Sequence, residues 1–133
     1  MKKYLFLILA LAFAAPIWAQ TASSGPVITF EKSTHDFGDI KQGDKVEETF
    51  RFTNTGTEPL LITNVEVSCG CTAPKWPRDP IPPGGKSEII VAFNSAGKVG
   101  AQNKVVTVVS NAVNPEAALI KFKANVLTTG ANQ

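Results

Sequence analysis

The stretch KVEETFRFTN, residues 45–54, decides the fold. Val46, Phe50 and Phe52 share one parity, while Thr49, Arg51 and Thr53 share the other. Alternation with a period of two gives a strand with one buried and one wet face. Glu48 falls on the apolar parity, which places it near the open end of that strand. The turn residues Gln42-Gly43-Asp44 precede the stretch and Thr55 to Pro59 follow it, so it is bounded at both ends.

Working outward, the same pattern recurs. Residues 27–31 carry Ile28 and Phe30 on one face, and a short segment from Thr34 to Phe37 closes at Gly38. Leu60 to Ser68 reads as a strand with a register change: Leu60 and Ile62 are even, Val65, Val67 and Cys69 odd. A slip of one residue would turn the apolar set to the other face, so a β-bulge is expected near Thr63-Asn64. Residues 72–85 hold Pro74, Pro77, Pro80, Pro82 and Pro83 and read as a long crossing between sheets, because proline offers no N–H to a ladder. Ser87 to Phe93 and Lys104 to Ser110 return to strand. The last strand, Ala118 to Val126, has Ile120, Phe122, Ala124 and Val126 inward and Leu119, Lys121 and Lys123 outward. Helical spacing is absent after the N-terminal region. About seven short strands at this spacing predict an all-β chain, an immunoglobulin-like β-sandwich, with a small barrel as the structural alternative.

The N-terminus sets an expectation about compartment. Lys2 and Lys3 precede an unbroken apolar run from Tyr4 to Ala15, broken by Pro16 and followed by Ala19. That order of charge, apolar core and small residue is a secretory signal peptide, with cleavage expected after Ala19. A spanning helix needs about 20 apolar residues, more than this run supplies. The expected organisation is therefore a signal peptide over 1–19, a flexible leader over 20–26, the sandwich over 27–128 and a polar tail over 129–133. The location follows as exported, periplasmic or secreted. Processing would remove two of the 13 basic residues and leave 11 against 11 acidic ones. A neutral domain lacks the one-sided basic field that nucleic acid or an anionic lipid surface demands.

Four blocks carry a family resemblance: His35-Asp36-Phe37-Gly38, Asn54-Thr55-Gly56, Ser68-Cys69-Gly70-Cys71-Thr72 and Ile81-Pro82-Pro83-Gly84. Together they resemble a bacterial family of exported domains of unknown function. That family is similar to the immunoglobulin-like modules of abnormal-spindle/Hydin type and major-sperm-protein type. The resemblance spans about residues 27–126. It implies a β-sandwich and an exported location, and brings no substrate with it.

Cys69 and Cys71 are the sharpest chemical feature. Residues two apart in an extended strand lie about 6.6 Å apart, while a disulfide usually needs about 4.4–6.8 Å between Cα atoms. A bridge therefore requires local bending, which Gly70 permits. Three readings stand open at this point: an inert pair or local clip, a redox-active dithiol, and a soft-metal site for Cu(I) or Zn(II) with His35 as a further ligand. His35 is the sole histidine, and its plainer reading is a polar turn residue beside an Asp36 that bonds local backbone. Trp76, held among prolines, is either a partner contact or a cap on the end of the core. No catalytic residue and no cofactor is assigned. The expected function is an exported, non-catalytic binding or scaffold module with a protein or envelope partner. The alternative is a thiol-redox or metal-handling protein centred on Cys69 and Cys71.

Overall fold

A computed structural model describes residues 24–128. The signal peptide expected over 1–19, the first residues of the leader and the tail over 129–133 lie outside the described residues. Eight strands run in chain order: β1 (Ile28–Phe30), β2 (Thr34–Lys41), β3 (Lys45–Asn54), β4 (Ile62–Val67), β5 (Thr72–Lys75), β6 (Lys86–Asn94), β7 (Gly100–Ser110) and β8 (Leu119–Leu127). A single 3-10 turn at Pro115–Ala117 joins β7 to β8. No helix among the described residues is long and apolar enough to cross a membrane.

The strands form two four-stranded sheets, ordered β1-β3-β6-β5 and β2-β8-β7-β4. Inward side chains of both sheets make one core. Phe50, Ile89, Val91 and Phe93 come from the first sheet, and Val106, Ile120, Phe122 and Val126 from the second. Phe93 and Phe122 meet at 5.5 Å between ring centroids, and Phe37 of β2 packs edge-on against Phe122 at 5.6 Å. The fold is the all-β sandwich that the alternation predicts, and β3 occupies the predicted residues 45–54. The parity of β8 also holds: Ile120, Phe122, Ala124 and Val126 are buried and Leu119, Lys121 and Lys123 exposed. The bulge appears where the parity switches, between Ile62 and Asn64.

Four local expectations are corrected. Residues 72–75 are a strand, β5, paired antiparallel with β6. Pro74 is tolerated because β5 is an edge. Asn94 N–H donates to the Cys71 carbonyl at 2.8 Å, so alternation turns Cys71, Ala73 and Lys75 toward β6 and the proline nitrogen away from it. The segment ending at Gly38 instead continues to Lys41. It pairs parallel with β8 and shifts register between Asp36 and Asp39. Glu48 is in the interior of β3, opposite Val91, rather than at its end. The opening lies sideways, because β1 covers only the Phe52–Asn54 part of β3. Finally, Gly25 and Pro26 are buried and tied down rather than part of a loose leader. Gly25 N–H donates to Thr57 Oγ1 at 2.9 Å, and Val113 N–H donates to the Pro26 carbonyl at 2.9 Å.

Candidate functional site

The blocks quoted from the sequence occupy three separate places. His35 lies in β2, at one edge of the second sheet, while the cysteines follow β4 at the other edge, with β8 and β7 between. The fold therefore does not bring His35 to Cys69 or Cys71. Among the described residues no group of three or more His, Cys, Asp or Glu side chains is placed to hold a metal ion.

His35 meets carboxylate and aromatic neighbours instead. Its Nε2 is 3.3 Å from Glu48 of the facing sheet, and its ring packs edge-on to Phe37 at 4.6 Å. Lys32 Nζ completes the cluster, 2.9 Å from Glu48 and 3.3 Å from His35 Nδ1. Lys32 lies in the β1–β2 crossover and His35 just after it in β2, so this inward-facing carboxylate is covered where the chain changes sheets. The hydrogen bond from Lys32 holds the Glu48 carboxyl below its ordinary value of 4.5 against the opposing effect of burial, and the charges of His35 and Lys32 add to the lowering. Asp36 Oδ1 accepts from Gly38 N–H at 2.8 Å, the local backbone bond expected of it.

Asn54-Thr55-Gly56 and Ile81-Pro82-Pro83-Gly84 interlock. Asn54 is fully buried. Its Nδ2 donates to the carbonyls of Glu58 at 2.7 Å and Ile81 at 2.9 Å, and its Oδ1 accepts from Gly56 N–H at 3.0 Å and Val27 N–H at 3.3 Å. Gly84 N–H donates to the Asn54 carbonyl at 2.7 Å. Gly56 is required by close approach, since a Cβ there would collide with the Gly25 carbonyl and the Val27 nitrogen. A polar residue closing β3 was legible in the sequence, but its role as a four-bond hub was not.

Cys69 and Cys71 are joined by a disulfide, Cα atoms 5.3 Å apart, in the turn that carries the chain from β4 in one sheet to β5 in the other. Thr72 Oγ1 lies 3.9 Å from Cys69 Sγ and 3.8 Å from Cys71 Sγ. Cys71 packs against the core. Trp76 is half-buried, also packed against the core, with the Arg78 guanidinium 4.0 Å above its ring. Its Nε1 is buried without a hydrogen-bond partner among the described residues.

Two surfaces complete the picture. An open depression of about 490 Å³ lies on the outer face of the second sheet, lined among others by Thr34, Asp36, Val105, Lys121 and Lys123, and bordered by a 3.6 Å ion pair between Lys123 and Asp36. The second surface is the free edge of β4. Val108 N–H donates to the Ala118 carbonyl, so even residues of β7 bond toward β8 and odd ones toward β4. Thr107 faces Glu66 and Val109 faces Asn64. Val65 and Val67 therefore turn their backbone N–H and C=O groups outward, away from β7.

With this geometry in place, the sequence comparison is decisive over nearly the whole sandwich. Residues 28–126 match the family described as Protein of unknown function (DUF1573). The chain belongs to the DUF1573 family. No curated protein matches its sequence. Among solved structures, this DUF1573 chain is similar to a protein of unknown function from Porphyromonas gingivalis W83. The TM-score is 0.64 at 23% identity, over 83% of this chain and 51% of that one. It therefore spans about half the length of that relative. It is also similar in fold to a PapD-like domain of human CEP192, with TM-score 0.54 at 10% identity, over 79% of this chain and 87% of that one. A third likeness is to the secreted serine protease VesC from Vibrio cholerae, with TM-score 0.52 at 12% identity, over 80% of this chain and 24% of that one. At these identities the likenesses are of fold alone, and they place this DUF1573 domain among immunoglobulin-like sandwiches.

Proposed function

We propose that the protein is an exported binding module that takes an extended segment of a partner protein alongside β4. Export rests on the Lys2-Lys3 start, the apolar run from Tyr4 to Ala15 and the small residue Ala19. The binding reading rests on one observation, the state of the four sheet edges. Natural sandwiches blunt their edges with proline, bulges, charge or very short strands, because an open edge templates pairing with another chain. Here β1 is three residues long, β5 turns the Pro74 nitrogen outward, and β2 breaks register beside Gly38. β4 carries a bulge between Ile62 and Asn64 and one charge, Glu66, but from Asn64 to Val67 its ladder is regular and free of proline. It turns the backbone groups of half-buried Val67 and of Val65, itself 5% exposed, away from β7. Strand addition uses such groups: main-chain hydrogen bonds supply affinity and alternate side chains supply selectivity.

Capture from the envelope fraction of the producing cell, comparing three baits, tests the proposal. Val67→Pro removes the outward N–H but no ladder donor, so it should abolish capture while the domain still melts cooperatively. Val67→Ala keeps the N–H and should retain capture. Equal capture by wild type and Val67→Pro would refute the edge as the docking site.

A further inference from the structure

Three of the four motif blocks are absorbed by the fold. His35 packs on Phe37 and Phe37 on Phe122 of the core, and Asn54-Thr55-Gly56 is hydrogen-bonded to Ile81-Pro82-Pro83-Gly84. The Ser68–Thr72 block is not. Its disulfide closes a loop with one intervening residue, the kind of loop whose closure restricts the unfolded chain least. Gly70 is not demanded by the backbone either. Its φ lies outside the left-handed region, and a Cβ built on it meets no atom within 4 Å. Gly70 is exposed, so the residue between the two half-buried cysteines carries no side chain on its solvent side. Beneath the pair, Thr72 is 5% exposed and holds its hydroxyl within sulfur hydrogen-bonding reach of both Sγ atoms. Thiol–disulfide exchange needs access for the attacking thiolate and is faster when the leaving thiolate is stabilised. A bare glycine between the cysteines and a buried hydroxyl beside both sulfurs suit these two needs.

We propose that Cys69–Cys71 is a thiol–disulfide exchange site whose substrate is a dithiol. A thiolate of the dithiol attacks Cys69 Sγ, since Cys71 is the cysteine packed against the core, and forms a mixed disulfide. The Cys69–Cys71 bond breaks and its electron pair leaves on Cys71 Sγ. There the Thr72 hydroxyl donates a hydrogen bond to the new thiolate, which then takes a proton from solvent. The second thiolate of the dithiol attacks its own sulfur in the mixed disulfide and releases Cys69, which is protonated in turn. One dithiol is oxidised to a disulfide, one protein disulfide becomes two thiols, and two electrons and two protons are transferred. The site stands apart from strand addition at β4: a module with no partner at that edge would still exchange.

The test uses the full chain produced by an exporting host, with dithiothreitol as the probe dithiol and alkylation followed by intact mass as the readout. Reduction should proceed in the folded protein at a rate proportional to dithiothreitol concentration, with the thermal melt still cooperative afterwards. Thr72→Val should slow it by about tenfold, through loss of the donor to the leaving thiolate. Gly70→Val, at a position with open space around it, should slow it without altering the melt. Cys71→Ser should form a mixed disulfide with oxidised glutathione faster than Cys69→Ser does. Reduction at a rate independent of dithiothreitol and equal to global unfolding would overturn the proposal. So would Thr72→Val and Gly70→Val both reacting at the wild-type rate.

Discussion

Asn54 Nδ2 donates to the Ile81 carbonyl at 2.9 Å inside the core, joining the end of β3 to the far end of the proline-rich connection. The same side chain satisfies Glu58, Gly56 and Val27. Asn54→Ala would leave two carbonyls and two N–H groups without that partner. A buried unsatisfied group costs about 1–3 kcal/mol, and relaxation recovers part of the total, so a loss of about 3–5 kcal/mol in urea unfolding is expected. Asn54→Asp should be at least as damaging, because a carboxylate oxygen would face carbonyls where an amide now donates. A loss below about 1 kcal/mol for Asn54→Ala would show that the hub is not needed.

The faces of β3 make a second test. Phe50 is fully buried, whereas the Arg51 side chain is 67% exposed with Glu88 3.8 Å away. Phe50→Ala should cost about 3–5 kcal/mol. Arg51→Ala should stay within about 0.5 kcal/mol, since exposed ion pairs contribute little. Equal shifts of the urea midpoint would contradict the assigned register.

These two residues also show how much was legible beforehand. Phe50 and Phe52 declared their face through parity alone, and the switch from Ile62 to Val65 declared the bulge in β4. The strand at the start of the proline-rich segment, β5, stayed hidden because Pro74 argues against a strand, and only the pairing shows that its nitrogen faces away from β6. The full length of β2 was hidden by Gly38, which reads as a turn but sits at a register shift in a parallel edge pair. Glu48 was misplaced because Lys32 and His35, which cover it, arrive by a change of sheet. At the candidate site, the cysteine pair was visible as a motif. Its separation from His35 was not, since strand order rather than sequence distance sets it.

Glu48 gives a pH dependence with a definite sign. Its folded-state pKa lies below the ordinary value of 4.5, chiefly because of the hydrogen bond from Lys32. A carboxylate lowered in this way contributes stability above its unfolded pKa and loses it as pH falls through the folded value. The stability gap between wild type and Glu48→Gln should therefore be full near neutrality and narrow as pH drops below about 4.5. Urea midpoints measured across the acid range would show this, and a gap constant down to the acid transition would contradict it.

Export makes a mass prediction. Cleavage after Ala19 gives a protein beginning at Gln20, whose 114 residues are the 133 of the chain less 19. Intact mass of the exported material should fit that species. Material retaining residues 1–18 and fractionating with membrane would contradict the signal reading.

The central claim is that β4 receives a partner strand, and amide hydrogen exchange reads it most directly. In the free domain the Val65 and Val67 amides point away from β7 and should exchange faster than those of Asn64 and Glu66, which face it. On binding the captured partner, Val65 and Val67 should become protected together while the outer face around Val105 and Lys121 is unchanged. Continued fast exchange at Val65 and Val67 in the complex, with new protection elsewhere, would contradict the account.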